Sequence, residues 1–224
     1  MYQRWSDLLF LHWKWDPEDL QSRLPAGLHI DTFEGQAWLG VVPFFMQRIR
    51  PRFLPPVPWI SWFLELNVRT YVHDDQGRPG VWFFSLDCDQ PLAVWAAQTF
   101  FHLPYQHAEM QAEKQGSHIA YRCKRRGEIN ERPATFDYDL SGTAHLAEPG
   151  TLEFFLAERY LLFSNSPRGL RTGQVNHVPY PLITPVVAQW SGVPMIWNGM
   201  PLPQRPPDNV LGSKGVDVDV FALQ

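Results

Sequence analysis

The stretch ELNVRTYV, residues 65–72, alternates strictly between two kinds of side chain. In a β-strand alternate side chains share a face, so the stretch forms two rows. One row is Glu65, Asn67, Arg69 and Tyr71, and the other is Leu66, Val68, Thr70 and Val72. A solvated face usually carries Lys, Glu, Ser and Thr, whereas the first row offers a guanidinium fork, an amide and a phenol. The pattern predicts a strand and leaves open whether its polar face meets bulk water or lines a ligand-holding interior.

The segments on both sides of this strand predict more strands than helices. Two hairpins are predicted, over 63–73 with 80–88 and over 106–114 with 117–126, since turn sequences separate their halves. Further extended segments are predicted over 28–46, 134–140, 170–178, 195–198 and 216–222. Helices are predicted over 16–23, 91–102 and 152–162, with Asp16 and Thr151 as caps. The chain is therefore predicted to be one α+β, mainly β domain over 1–224, with Leu66, Val68 and Val72 packed outward under helices.

The composition and charge of the sequence argue against nucleic-acid and membrane partners. The formal net charge is −4, and no basic stripe exists beyond Lys124-Arg125-Arg126, which argues against nucleic-acid binding. The N-terminus lacks a secretory pattern, and no apolar run approaches the roughly 18 residues of a membrane span. Cys88 and Cys123 lack metal or redox spacing and are typical of free thiols in a reducing compartment. We therefore expect a cytoplasmic protein with neither a nucleic-acid nor a membrane partner, and the oligomeric state stays open.

Motifs for metal, nucleotide or serine-nucleophile chemistry are missing from the sequence. The eight His are scattered, and no pair has the i, i+4 spacing of helical zinc ligands. There is no Gly-x-Ser-x-Gly elbow and no phosphate-binding glycine loop. We therefore expect no metal and no cofactor. On the strand over 106–113, the face of His107 and Glu109 is dense in acidic groups and typical of solvent exposure. His107, nearest the corner before the strand, is the residue we place near a site.

Residues 51–62 combine prolines with large apolar side chains. Four prolines between 51 and 58 exclude a central strand or a helix interior. The apolar residues Phe53, Leu54, Val57, Trp59 and Trp62 suggest a loop folded over the body of the protein. The sequence leaves open whether this loop is a movable lid or a packed structural segment.

An ordered set of segments resembles the YqjF-like family of uncharacterised bacterial proteins. The segments are LPAGLHIDTFEGQAWLGVVPF (24–44), ELNVRTYV (65–72), GVWFFSLD (80–87), LPYQHAEM (103–110) and LEFFLAERY (152–160). That family in turn resembles the acetoacetate decarboxylase superfamily. The resemblance implies an antiparallel barrel-like sheet with a central cavity and a few flanking helices. It favours the interpretation that the polar row of residues 65–71 lines that cavity.

The same resemblance implies a chemistry that this sequence lacks. In acetoacetate decarboxylases the corner that matches Pro104 is followed by two lysines, the first of which forms a Schiff base with the keto acid. Here Tyr105 and Gln106 stand in their places, and neither a phenol nor an amide forms an imine. Glu65 matches the strand glutamate of the superfamily. No residue near the N-terminus clearly replaces its substrate-holding arginine, a role that Arg69 could take from another position. The sequence predicts the cavity without the Schiff-base mechanism.

Three functions stay open on this basis. The first is an enzyme acting on a small carboxylate or carbonyl compound, with Glu65 or Tyr105 as general acid or base. Its ligand-binding residues would be Asn67, Arg69, Tyr71 and His107, with Glu65 also holding the Arg69 guanidinium in place and Arg69 binding an anionic group. The second is a non-catalytic protein that binds a small organic acid or apolar ligand. The third is a purely structural or interaction protein whose cavity is filled by its own aromatic side chains.

Overall fold

The computed structural model describes residues 1–128, 132–167 and 169–224. The strands are β1 (Tyr2–Trp15), β2 (Leu28–Ile30), β3 (Ala37–Arg50), β4 (Phe63–Asp74), β5 (Pro79–Cys88), β6 (Tyr105–Gln115), β7 (His118–Arg125), β8 (Ala134–Asp139), β9 (Leu161–Ser166), β10 (Gly169–Asn176), β11 (Leu182–Ile183), β12 (Val186–Gln189) and β13 (Asn209–Val220). The helices are α1 (Pro17–Gln21), α2 (Pro91–Phe101), α3 (Leu152–Ala157) and α4 (Val193–Ile196).

Seven strands close into a barrel-like ring in the order β4, β5, β9, β10, β13, β1, β3 and back to β4. Strand β4 carries the alternating stretch and pairs antiparallel with β3 on one side and β5 on the other. The predicted mainly β, barrel-like fold with a few flanking helices is confirmed. The sheet is mixed rather than wholly antiparallel, because β5 runs parallel to both β6 and β9. The parallel β5–β6 pair follows from the crossover helix α2 between the two strands.

Strands β6, β7, β8 and β12 extend from the ring and cover part of its outer face. Leu66 and Val68 of β4 share a hydrophobic cluster with Ile119 and Phe136 of this extension, and with Met195 of α4. The outward packing of Leu66 and Val68 is therefore confirmed, but strands supply most of the cover that we expected from helices. Val72 belongs to a different cluster, with Leu28 and Phe163.

Several elements differ from the sequence prediction, and strands β9, β11 and β12 were not expected. Residues 195–198 were expected as a strand, but Pro194 occupies the first turn of helix α4. The helix predicted over 152–162 ends at Ala157, because Glu158 has left helical geometry (φ −92°, ψ 74°) and β9 begins three residues later. Strand β1 was not predicted, since its long apolar run lacks both alternation and turn signals.

Residues 51–62, which we name the apolar loop, connect β3 to β4. Their apolar side chains do not pack over the body of the protein as expected, since Phe53 is 91% exposed and Trp59 is 87% exposed. The base of the loop is nevertheless ordered by Ser61, whose hydroxyl donates to the carbonyl oxygen of Ile49 and accepts from the Val57 amide at 2.8 Å.

The described part of the chain contains no helix with the length and apolar character needed to cross a membrane.

Candidate functional site

A cavity of about 200 Å³ lies inside the ring. Most of its lining is apolar and comes from inward-facing strand residues, including Val42, Phe44, Met46, Phe63, Phe83, Leu86, Leu162 and Val175. One end is covered by α2, which contributes the small side chains Ala93, Ala96 and Ala97. The polar lining residues are Gln3, Glu65, Asn67, Arg69, Tyr105 and Tyr180. Four of these six were predicted as site residues from the sequence.

Three of the four residues in the polar row of β4 lie at the cavity wall. Glu65, Asn67 and Arg69 line the cavity, because alternate residues of the strand face the inside of the ring. Tyr71 continues the row but is fully buried and does not line the cavity. Its hydroxyl lies 2.7 Å from His12 Nε2. Tyr71 therefore stands behind Arg69 as a supporting residue rather than at the cavity surface.

Tyr105 meets Glu65 at the α2 end of the cavity. After α2 the chain turns at Leu103-Pro104, and Tyr105 is the first residue of β6. The Gln98 side chain donates to the Tyr105 carbonyl oxygen at 2.7 Å and holds this backbone in place. The Tyr105 hydroxyl donates to Glu65 Oε2 at 2.7 Å. From the outer face, the Tyr121 hydroxyl donates to the Glu65 carbonyl oxygen at 2.8 Å and holds the backbone of β4. Glu65 of β4 and Tyr105 of β6, which are far apart in the sequence, thus form a hydrogen-bonded pair of acidic side chains.

Burial raises the pKa of the Glu65 carboxyl to about 8. The hydrogen bond from Tyr105 works in the opposite direction, and the negative charge of Asp87 adds to the increase. The pKa of the Tyr105 phenol is raised well above its usual value by burial and by the neighbouring Glu65. At neutral pH most Glu65 side chains therefore carry a proton, and a perturbed carboxyl in a cavity is a candidate general acid or base.

Arg69 is buried without a carboxylate partner among the described residues. Its guanidinium makes long hydrogen bonds, 3.3 Å to the Leu156 carbonyl oxygen and 3.4 Å to the Tyr71 hydroxyl. Arg69 Nε and Asn67 Oδ1 have no hydrogen-bond partner within residues 1–128, 132–167 and 169–224. The expectation that Glu65 holds this guanidinium is wrong, because residues four apart on a strand are roughly 13 Å apart at their Cα atoms. Two polar side chains of the cavity wall thus keep unused capacity for a ligand.

His12 lies behind Arg69 and was missed by the sequence analysis. Its Nε2 faces the Tyr71 hydroxyl, and its Nδ1 lies 3.2 Å from Asn209 Oδ1. Burial, followed by the positive charge of Arg69, lowers the pKa of His12 to about 3. The imidazole is therefore neutral and adds no second charge beside Arg69. Only the three-dimensional pairing of β1 with the ring brings His12 to this place.

His107 does not line the cavity. It is half-buried on β6, opposite Cys88 of β5, and its face continues into the exposed Glu109. The acidic face of β6 is solvated as the sequence predicted. The proposed ligand-binding role of His107 has no support from this geometry.

An outer groove of about 720 Å³ adjoins the cavity. The two spaces share Met1, Phe101, Val220, Phe221 and Leu223, so the groove marks the side from which a ligand would enter. Arg171 and His102 also line the groove. An approach lined by a cation suits an anionic ligand.

Two kinds of chemistry have no residues at this site. No group of three or more His, Cys, Asp or Glu within 1–128, 132–167 and 169–224 is arranged to hold a metal ion. The residues that line the cavity include none of the four lysines of the chain, and Lys114 forms an ion pair with Asp7 at 2.8 Å. Tyr105, the residue that we expected at the position of the Schiff-base lysine, lines the cavity.

Comparison with known proteins gives relatives of two kinds. The profile of the DUF2071 family, described as an uncharacterized conserved protein, matches residues 2–217. The uncharacterized protein YqjF of Bacillus subtilis is 42% identical over 182 residues, which cover 80% of this chain and 74% of that protein. The crystal structure of acetoacetate decarboxylase from Legionella pneumophila has a TM-score of 0.63 at 10% identity and covers 100% of this chain and 86% of that one. The enduracididine biosynthesis enzyme MppR, complexed with pyruvate, has a TM-score of 0.59 at 14% identity and covers 99% of this chain and 87% of that one. At such identities the likeness to the two solved structures concerns the fold.

Proposed function

This chain belongs to the DUF2071 family, and we propose that it is an enzyme that moves a proton on a small carbonyl compound bearing a carboxylate, without a Schiff-base lysine. One observation carries the proposal. Among the described residues, a single cavity wall holds a protonatable carboxyl, an asparagine side-chain amide and a guanidinium without a carboxylate partner, in the order Glu65, Asn67, Arg69.

The spacing of this row suits a short ligand that lies along the strand. Alternate residues are roughly 6.5 Å apart, so three successive side chains can contact three successive groups of one small molecule. Arg69 would hold the carboxylate by charge-assisted hydrogen bonds. Asn67 would donate its amide hydrogen to the carbonyl oxygen, where charge develops during enolisation.

Glu65 would carry the proton. In its ionised form it removes a proton from the carbon next to the carbonyl, and the C–H electron pair moves to form the enolate. The protonated Glu65 then returns a proton to the same or a neighbouring atom, so neither an oxidant nor a reductant is required. Tyr105, hydrogen-bonded to Glu65 at 2.7 Å, would orient the carboxyl and stabilise its charged form.

The similarity in fold to MppR complexed with pyruvate supports this class of ligand. Pyruvate combines a carboxylate and a carbonyl on adjacent carbons, which is the arrangement that Arg69 and Asn67 could bind together. The small cavity volume of about 200 Å³ also favours a compact molecule. Pyruvate is therefore a suitable first probe.

Hydrogen–deuterium exchange of the pyruvate methyl group in D2O, followed by NMR, tests the proposal. We expect exchange above the buffer rate with the parent protein, and a loss of about 10²-fold or more with Glu65→Gln, the usual range for removing a general acid or base. The control variant is Glu109→Gln, because Glu109 is an exposed carboxylate on the outer face of β6. Exchange that is equal in the parent and Glu65→Gln proteins would overturn the role of Glu65.

A non-catalytic receptor for a small acid is the second candidate, because the cavity lining is mostly apolar. A receptor would be stabilised by pyruvate or a larger carboxylate in a thermal-shift assay, and Glu65→Gln would not change the exchange rate of any ligand. Stabilisation without exchange would favour this alternative.

Imine chemistry provides a separate test of the proposed mechanism. Incubation with acetoacetate and borohydride should leave the intact mass of the protein unchanged, because none of the four lysines is at the cavity. A stoichiometric adduct on Lys14, Lys114, Lys124 or Lys214 would contradict the mechanism.

A further inference from the structure

The apolar loop exposes an unusual concentration of large hydrophobic side chains. Phe53, Leu54, Val57, Trp59, Ile60 and Trp62 are all exposed, and Leu92 and Trp95 of α2 are exposed as well. The two segments are joined, since the Gln90 side chain donates to the Trp59 carbonyl oxygen at 2.9 Å. A contiguous surface of this kind on a folded protein marks an interaction site.

The loop is built to keep these side chains outside. Four prolines between 51 and 58 fix φ angles, and Ser61, only 2% exposed, ties the base of the loop to β3. Trp59 has a φ of 69°, a left-handed conformation that is unfavourable for a bulky residue and persists only when neighbouring structure imposes it. The prolines, the anchoring of Ser61 and the φ of Trp59 together hold the aromatic side chains of the loop outside.

The charged residues around the apolar loop are mainly arginines, which favours a negatively charged partner. Residues 35–64 contain Arg48, Arg50 and Arg52 but no Asp, Glu or Lys, in a protein whose net charge is −4. Arg48 and Arg52 are exposed, and Arg50 is half-buried above the Tyr2 ring. Of the carboxylates near this segment, Asp217 is paired with Arg4, and Asp89 is turned toward the Leu64 amide, from which it accepts a hydrogen bond. The surface is therefore both hydrophobic and locally cationic.

We propose that the apolar loop docks this protein onto an anionic lipid surface. Trp and Phe side chains partition into the interface between headgroups and acyl chains, and flanking arginines bind anionic headgroups. A second copy of the chain docked through the same surface would place the arginines of the two copies together, which like-charge repulsion opposes. Docking at the surface needs no membrane-spanning segment. The expectation of no membrane partner rested on the absence of such a segment and did not consider surface contact.

Vesicle flotation tests the proposal with the complete chain. Vesicles of phosphatidylcholine containing roughly 30 mol% phosphatidylglycerol should bind the parent protein about tenfold or more better than pure phosphatidylcholine vesicles, because each basic residue near an anionic surface contributes about fivefold. Phe53→Ser with Trp59→Ser should lower binding to the anionic vesicles about tenfold or more. Arg48→Glu with Arg52→Glu should abolish the preference for anionic over neutral vesicles.

Matched controls lie elsewhere on the surface. Leu146→Ser replaces an exposed apolar residue outside the apolar loop, and Lys214→Glu makes the same kind of charge reversal on β13. Neither should alter vesicle binding. If the parent and the Phe53/Trp59 variant bind anionic vesicles equally, the proposal is wrong. It is also wrong if the parent binds no vesicles and self-associates in sedimentation velocity while Trp59→Ser is monomeric, because a second copy then covers the surface.

Discussion

Two arginines of this protein are buried to nearly the same degree, Arg125 at 7% and Arg69 at 9% exposure, and their surroundings differ sharply. Arg125 joins β7 to β5 by a bidentate ion pair with Asp87, at 2.6 and 2.7 Å. It also donates to Ser85 Oγ at 2.6 Å and to the Trp197 carbonyl oxygen at 2.8 Å. Arg69 has two long hydrogen bonds, and its Nε has no partner in the part of the chain that the structure describes.

The difference in hydrogen-bond partners indicates that Arg125 has a structural role and that Arg69 is available to a ligand. A buried cation whose donors are all used fixes the strands around it and has nothing left to offer. A buried cation with spare donors costs free energy that the protein recovers only when something else binds. Arg125 therefore belongs to the framework that fastens β7 to β5 of the ring, and we assign Arg69 to the candidate site.

The largest effect on stability is expected from removing the ion pair between Arg125 and Asp87. Arg125→Met leaves Asp87 buried without its partner, and we expect the free energy of unfolding to fall by about 3–5 kcal/mol. Urea unfolding measures this loss. The double variant Arg125→Met with Asp87→Asn should recover part of it, because no unpaired charge then remains. A single variant as stable as the parent would show that the pair does not hold β5 to β7.

The Glu65 carboxyl should make stability fall as pH rises. Its pKa in the folded protein is about 8, above the ordinary value of 4.5, so the unfolded chain loses its proton first. Stability is therefore highest below about pH 4.5 for this group and is lost as pH rises through about 8, by a few kcal/mol. Urea unfolding of the parent and Glu65→Gln proteins at pH 5, 7 and 9 should give a difference, parent minus variant, that falls as pH rises, and parallel pH profiles would contradict the assignment.

Titration of His12 changes stability in the opposite direction to that of Glu65, because it makes stability fall as pH drops. Its pKa is lowered to about 3 in the folded protein, so stability falls as pH drops below about 6.5, where the unfolded chain takes up a proton. The two groups together should place the maximum stability of the parent at mildly acidic pH. Glu65→Gln should move that maximum to higher pH.

A smaller effect is expected at the edge of the Arg125 network. Asn198 donates to Ser85 Oγ at 2.9 Å and to the Pro194 carbonyl oxygen at 2.8 Å, and so connects α4 to the same network. Asn198→Ala should lower the free energy of unfolding by about 1–2 kcal/mol, the cost of two hydrogen bonds. Asn176→Ala, at an exposed position of β10, is the control and should change stability very little.

The smallest effect on stability is expected at Arg69 itself. Arg69→Met keeps most of the side-chain volume and removes a charge without a carboxylate partner, so the ligand-free protein should be within about 1 kcal/mol of the parent or more stable. The stabilisation by pyruvate in a thermal-shift assay should disappear. A large loss of stability would mean that Arg69, like Arg125, serves the framework.

The row on β4 was predictable because it depends on one local rule. Alternation over residues 65–72 placed Glu65, Asn67 and Arg69 on a common face, and the resemblance to a cavity-forming fold placed that face inside. Tyr105 was found through the same resemblance, at the corner after α2. These predictions required no knowledge of which strands pair.

The remaining features depend on contacts that the sequence does not show. Two neighbours of Arg69 could not be deduced, because His12 of β1 and Leu156 of α3 come near it only after these elements have packed against β4. Strand β1 escaped detection because Leu8 and Phe10 face the inner cluster while Leu9 and Leu11 face the outer one, which removes alternation. The apolar loop was expected to pack inward, since hydrophobicity alone does not distinguish a buried loop from a docking surface.

The pairing of β1 with β13 has a consequence for the time course of folding. Tyr2 lies opposite Asp219, so these strands can close the ring only after β13 has been synthesised. Until then β1 can pair with β3 but keeps one edge unpaired, and such an edge is a template for aggregation. Ring closure over so long a sequence separation is slow, typically milliseconds to seconds for sheets dominated by non-local pairing. The nascent chain is thus most vulnerable between the completion of β3 and the arrival of β13.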